Sequence, residues 1–126
     1  MRLSLTVVAI CAFLVLAAGC GRTDDGKVRS TVEDYVQARE KGDTAAVCDI
    51  YTSEFRSQQG LEPDCPARLK KQFAAEPKPA GTTIVAVKVH DGESRVDLDV
   101  DQGGGPSRVT LGLIDKEGTW RIAAIN

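Results

Sequence analysis

Residues 94–101 read Ser-Arg-Val-Asp-Leu-Asp-Val-Asp, and this run decides the fold. From Arg95 to Asp101 polar and apolar residues alternate without a break, which is the period of a β-strand with one buried face. Three further segments of this kind lie beside it, at residues 82–90, 108–115 and 119–125. Turn sequences separate the four segments: Asp91-Gly92, the glycine-rich loop 103–106, and Lys116-Glu117-Gly118. The order predicts four antiparallel strands joined by short hairpins.

The chain before residue 80 has the period of helices instead. Val28, Val32, Tyr35 and Val36 recur at the spacing of one helix face, and Gly42 is suited to end that helix. The sequence predicts helices at residues 27–41, 44–51 and 65–75, with a short helical turn beginning at residue 53. Helices followed by an antiparallel sheet predict an α+β fold, in which N-terminal helices pack on a curved four-stranded meander.

The first nineteen residues have the composition of an export signal. Arg2 is followed by an uncharged, apolar run that ends in small residues. The end of this run, Leu-Ala-Ala-Gly-Cys at 16–20, resembles the lipobox of bacterial lipoproteins. The resemblance implies that residues 1–19 are a cleaved lipoprotein signal peptide and that the Cys20 thiol receives a diacylglycerol with fatty acids such as palmitate. Residues 20–26 would then be a lipidated tether to the outer face of the cell membrane. An ordinary secretory signal with a coincidental cysteine is the alternative.

The number of cysteines outside the lipid site is also typical of an exported protein. Cys11 lies in the apolar run, which leaves Cys48 and Cys65 as an even pair in the domain. An oxidising compartment favours a disulfide between them, and closing that loop would stabilise the fold by about 3 kcal/mol. Two free buried thiols or a metal pair are the alternatives. Neither histidine nor a third cysteine lies near enough to complete a zinc set, so no metal is expected.

Charge gives no sign of a nucleic-acid partner. The chain carries 16 basic and 18 acidic residues, for a net charge of −2. It has neither a basic stripe nor an aromatic ladder, which are the usual features of nucleic-acid binding. No cofactor is predicted either.

Four features of residues 27–126 occur together: a first helix ending in Lys41-Gly42-Asp43, a short helix at 45–52, a helix opened by Cys65, and the ending Gly-Thr-Trp-Arg-Ile at 118–122. This combination resembles the NTF2-like (cystatin-like cone) superfamily, and in particular small exported lipoproteins of actinobacteria. The resemblance implies that residues 27–126 form one NTF2-like domain. The superfamily includes isomerases, dehydratases, transport factors and accessory domains, so the fold does not select a function.

The interior of the predicted cone, between helices and sheet, has no acid or base. Strand alternation directs only apolar side chains inward: Val85, Val87, Val89, Val96, Leu98, Val100, Val109, Leu111, Leu113, Trp120 and Ile122. A general acid or base should appear among these positions as an Asp, Glu or His, and none does. No catalytic residue is therefore assigned.

Two aromatic residues are the candidates for a ligand cavity, Tyr35 and Trp120. The hydroxyl of Tyr35 could enter the cone as the oxyanion donor of the superfamily's steroid isomerases does, while a core tyrosine is the alternative. His90, the only histidine, falls with Ile84 on the outer face of the first strand and is interpreted as a surface residue.

The aspartates of the second strand resemble a calcium motif only superficially. Asp97, Asp99 and Asp101 would lie about 7 Å apart along one strand face, whereas a calcium loop converges its ligands. We expect a solvated face, with these carboxylates paired across strands to Lys88 and Arg108.

The sequence therefore supports two hypotheses. The first is a membrane-anchored lipoprotein whose domain is a non-enzymatic accessory or binding module, with an envelope protein as partner. The second is a binder of small apolar ligands, or a vestigial isomerase-like or dehydratase-like enzyme, that uses the cone. A cavity of a few hundred Å³ at Tyr35 would favour the second, since ligand sites have that size.

Overall fold

Four helices precede a four-stranded antiparallel sheet in the computed structural model, which describes residues 23–126. The helices are α1 (Asp24–Lys41), α2 (Thr44–Ile50), α3 (Ser53–Gln58) and α4 (Cys65–Ala75). The strands are β1 (Gly81–His90), β2 (Glu93–Asp101), β3 (Pro106–Lys116) and β4 (Thr119–Ile125), paired in chain order. The predicted α+β meander is confirmed. Within the described part of the chain, no helix is long and apolar enough to cross a membrane.

The start of α1 differs from the prediction. The signal peptide 1–19 and the lipid site Cys20 lie outside the described residues, but α1 begins at Asp24, three residues earlier than expected. The end of the predicted tether 20–26 is therefore helical. The physical reason is that Thr23 caps the helix with its side chain and acidic residues fill the first turn, where negative charge stabilises a helix.

Local capping explains how α1, α2 and α3 follow one another closely. Gly42 ends α1 with φ of 70°, as predicted, because a left-handed residue lets its N–H return to the last turn. The Asp43 side chain then accepts a hydrogen bond from the backbone N–H of Ala46 and caps α2. Thr52 caps α3 in the same way, accepting from Phe55 N at 3.0 Å. Each helix therefore begins within a few residues of the previous one.

The two hairpin tips lie at one end of the sheet. Asp91-Gly92 joins β1 to β2 and Glu117-Gly118 joins β3 to β4, with positive φ at all four residues. Two consecutive left-handed residues form a type I′ turn, whose twist matches that of the strands. The loop 102–105 between β2 and β3 lies at the opposite end. Helix α1 runs from the hairpin end to this loop end, since Thr31 lies beside Thr119 and Glu40 beside Gln102.

The outer edge of β4 is covered by the chain between α2 and α3. Tyr51 forms a parallel bridge with Ile122, and the Thr52 N–H donates to the Ile122 carbonyl oxygen at 2.9 Å. β1 forms the other edge of the sheet. Only one edge of the sheet therefore lacks a neighbouring segment among the described residues.

The strand alternation is confirmed at ten of the eleven positions predicted to face inward. Ten of the predicted inward residues are in the core or packed against it, but Val85 is 46% exposed. Ile84 pairs with Leu98 and Ala86 with Asp97, so Val85 is an extra residue in β1. This β-bulge reverses the alternation, which places Ile84 against the core and Val85 outside. The predicted orientations of both residues were wrong.

Candidate functional site

The predicted cysteine pair lies between α2 and α4. The Sγ atoms of Cys48 and Cys65 are at disulfide-bond distance, 2.03 Å, and both residues are buried. Cys65 opens α4, and Cys48 lies within α2. The pair therefore links two adjacent helices, as expected from the sequence, and it has no open position for a ligand.

Tyr35 lies at the centre of a small polar cluster. Its ring is buried, and its hydroxyl accepts a hydrogen bond from Arg39 Nη1 at 3.2 Å. Arg39 Nη2 bonds the Glu76 carboxylate at 2.7 Å, and the guanidinium lies 4.8 Å from the ring centroid of Phe73. The ring of Tyr51 is 6.0 Å from that of Tyr35. Cation–π and hydrogen-bond contacts together hold Arg39 in one position.

The surroundings of this cluster shift the pKa values of Arg39 and Tyr51. Burial raises the pKa of Tyr51 far above its ordinary value, and the neighbouring Tyr35 acts in the same direction. Burial alone would lower the pKa of Arg39, but Tyr35 and Glu76 outweigh that effect and raise it. At neutral pH the cluster thus contains a permanent cation and a neutral Tyr51 phenol. Tyr51 and Arg39 therefore provide no general base.

The cavity beside Tyr35 is small. Its volume is about 60 Å³, and its lining includes the apolar Leu98, Val100 and Val109 as well as Arg39. Pockets that bind organic ligands have volumes of about 300–1,000 Å³. The cavity has room for a few water molecules but none for an apolar ligand of the size that the second hypothesis requires. The interior is filled instead by core side chains.

Trp120 does not share this cavity. It is buried, and it lines a separate, open surface depression together with Thr31, Asp34 and Arg121. The structure therefore does not bring Tyr35 and Trp120, the two candidate ligand-cavity residues, into one site. Trp120 instead belongs to the core between β4 and the helices.

The aspartates of β2 lie along the outer sheet face. Asp99 accepts a hydrogen bond from Arg108 Nε at 2.6 Å, which is the predicted cross-strand pair. Asp97 accepts from Thr110 Oγ1 at 2.8 Å, and this bond is the main reason that its pKa is lowered. Lys88 lies opposite Arg95 rather than an aspartate, so the predicted Lys88 pairing is absent.

Metal-binding geometry is not found in the described region. Within residues 23–126, no group of three or more His, Cys, Asp or Glu side chains is placed to hold an ion. His90 lies beside the β1–β2 turn with its side chain 91% exposed, and its Nε2 is 3.1 Å from the Asp91 carboxylate. The position of His90 on the surface agrees with the prediction.

Sequence reasoning missed Arg39 and Glu76. Arg39 follows Tyr35 by four residues on α1, and this spacing was a signal that the two side chains could meet. Glu76 is 37 residues further along the chain and follows α4. No periodicity joins positions so far apart, so their pairing required the folded structure.

Comparison with known proteins identifies the fold. No protein-family model and no curated protein matches the chain. Solved structures do: an NTF2-like protein of unknown function from Silicibacter pomeroyi has a TM-score of 0.58 at 22% identity, covering 79% of this chain and 89% of that one. A second, from Burkholderia xenovorans, has a TM-score of 0.52 at 21% identity, covering 77% and 83%. A third, from Shewanella baltica, has a TM-score of 0.57 at 14% identity, covering 83% and 94%. At these identities the likeness concerns the fold, and the chain adopts the NTF2-like α+β fold.

Proposed function

We propose that this chain is an exported lipoprotein of the type that actinobacteria make, anchored by Cys20 to the outer face of the cell membrane. Its domain serves there as a non-enzymatic accessory or binding module. The observation that carries the proposal is the apolar run that ends in Leu-Ala-Ala-Gly-Cys at 16–20, followed by a helix that begins at Asp24. In bacterial lipoproteins the lipid is attached to a cysteine between the export signal and the folded domain, and Cys20 has that position.

The cysteine pair supports an oxidising compartment. Cys48 and Cys65 are buried at bonding distance, so the fold accommodates a disulfide without rearrangement. Disulfides persist in exported proteins and are rare where thiols are kept reduced. The pair is therefore consistent with export.

The interior of the domain supports a non-enzymatic role. Apart from Ser94, the buried strand positions carry apolar residues, and the cavity beside Tyr35 has only about 60 Å³. Catalysis needs a reacting group in contact with a bound substrate, and this volume admits no organic substrate of ordinary size. The outside of the domain is then where its partners bind.

Metabolic labelling with palmitate in an expressing bacterium tests the anchor. The wild-type chain should incorporate the label, and intact mass should identify a mature protein that begins at diacylated Cys20. Cys20→Ser should lose the label. The matched control is Cys11→Ser, which changes a cysteine of the apolar run and should keep the label. Label retained in Cys20→Ser, or a mature protein that begins elsewhere, would refute the proposal.

A further inference from the structure

An open groove adjoins the small cavity and shares Arg39, Glu40 and Pro79 with it. It runs between the C-terminal ends of α1 and α4 and the segment 76–79, and its volume is about 460 Å³. Three lysines line it, Lys41, Lys70 and Lys78, and we call it the lysine groove. Its size falls within the range of sites that hold a ligand or a short peptide segment.

The charge of the lysine groove is opposite to that of the chain as a whole. The chain has a net charge of −2, but the groove has four basic residues and only two acidic ones. Glu76 is already paired with Arg39, which leaves the three lysines against Glu40. These lysines are exposed and form no salt bridge with any other residue of the described region. Their charge is therefore available to an anionic partner.

The lining between the lysines is apolar. Phe73 is half-buried, with the Arg39 guanidinium over its ring, and Pro77 and Pro79 form the adjacent wall. Prolines have a fixed φ, so this wall loses little conformational entropy when it binds a partner. A partner that buries an apolar side chain here gains hydrophobic stabilisation in addition to its charge contacts.

The residue types favour carboxylates over phosphates. Phosphate sites combine lysine with arginine forks or with several convergent backbone N–H groups. The one arginine of the groove is engaged by Tyr35, Glu76 and Phe73, and the prolines have no N–H to donate. Flexible lysine ammoniums around an apolar lining suit carboxylate side chains that alternate with apolar ones.

We propose that the lysine groove binds an acidic, aromatic-containing peptide segment of another cell-envelope protein. The choice of a cell-envelope protein as partner rests on the proposed anchoring at Cys20. The chain between Cys20 and Asp24 is short, and α1 is about 27 Å long, with the groove at its C-terminal end. Anchoring at Cys20 thus presents the groove away from the membrane, toward partners in the envelope.

Fluorescence anisotropy with a defined probe tests the binding. The full chain, purified from membranes in neutral detergent, is titrated into a fluorescein-labelled peptide of sequence Glu-Phe-Glu-Pro-Glu-Phe-Glu. The groove variant is Lys41→Gln, Lys70→Gln and Lys78→Gln combined. The matched control combines Lys27→Gln, Lys71→Gln and Lys88→Gln, three exposed lysines outside the groove. Both variants change the net charge equally, so they separate local recognition from general attraction.

The Kd should rise at least about tenfold in the groove variant and less than about threefold in the control. A probe with Gln in place of Glu should bind the wild-type chain about tenfold more weakly, and added salt should weaken binding of the acidic probe. These two measurements use the wild-type chain, so they test the binding of carboxylates even if a variant fails to fold. Equal losses in both variants, or no binding of the acidic probe, would overturn the proposal. Displacement by sodium triphosphate at a lower concentration than by unlabelled peptide would also overturn it, because the groove would then prefer phosphate. If the wild-type chain made in the expressing bacterium carries no acyl group but still binds the peptide, the anchoring is refuted and the groove proposal stands.

Discussion

Ser94 gives a stability prediction that depends on one buried hydroxyl. It lies on the inward face of β2, between Val89 of β1 and Leu113 of β3, and is 8% exposed. Its hydroxyl has no hydrogen-bond partner among the described residues. A buried polar group without a partner costs about 1–3 kcal/mol of folding free energy. Ser94→Ala removes that cost but leaves a small void and a weaker strand former, which together cost about 0.5–1 kcal/mol.

The net effect of Ser94→Ala is an increase in the free energy of unfolding of about 1 kcal/mol. For a domain of this size, that raises Tm by about 4–8 °C. The matched control is Thr52→Val, because the buried Thr52 hydroxyl accepts the backbone N–H of Phe55 and caps α3. Losing that cap should lower the free energy of unfolding by about 1 kcal/mol. Removing the Ser94 hydroxyl and removing the Thr52 hydroxyl should therefore change the free energy of unfolding in opposite directions.

Urea unfolding of the wild type and both variants, with the disulfide intact, measures these changes. The slopes with denaturant should agree among the three proteins, so that the midpoints report stability. A loss of about 1 kcal/mol or more in Ser94→Ala would refute the reasoning, because it would mean that the hydroxyl makes a stabilising hydrogen bond in solution.

Three further predictions concern the cysteines, a hairpin and alkaline pH. Replacing Cys48 and Cys65 together by serine should lower the free energy of unfolding by about 3 kcal/mol in urea titrations without reductant; an unchanged midpoint would mean that no disulfide forms. Glu117→Asn should raise the free energy of unfolding by about 0.5–1 kcal/mol, because Glu117 has a φ of 55° that asparagine adopts more easily. A lower Tm of this variant by calorimetry would contradict the prediction. The pKa of Tyr51 is higher in the folded than in the unfolded chain, so the stability it contributes is fully present below pH 10.0 and falls as pH rises further. Tyr51→Phe should flatten that decline in unfolding titrations at alkaline pH, and an equal decline in both proteins would exclude Tyr51 as its source.

The strands could be predicted because their alternation is a local property. Each of Val96, Leu98 and Leu111 has a polar neighbour on either side or nearby, and the structure buries all three. The prediction for Val85 was wrong because a bulge adds one residue to β1. The sequence pattern alone does not show where the register of two strands shifts. α1 begins before its predicted start because the Thr23 cap precedes the first apolar residue of the helix, on which the prediction was based.

The candidate sites were less predictable than the fold. The Tyr35–Arg39 contact follows from helical spacing, but the Arg39–Glu76 pair joins segments 37 residues apart. The lysine groove likewise depends on how α1, α4 and the following prolines pack together. Local sequence cannot fix such distances, because tertiary packing decides which exposed residues become neighbours.

If the domain is anchored to a membrane as we propose, the covered edge of β4 has a consequence for how neighbouring copies meet. Molecules confined to two dimensions meet more often than molecules free in solution, and open strand edges would then promote sheet-to-sheet polymerisation. The bridge from Tyr51 to Ile122 closes one edge, and the bulge at Val85 distorts the other. A sheet with one closed and one irregular edge cannot extend in both directions. Crowded copies of this domain should therefore not assemble into fibres by strand pairing.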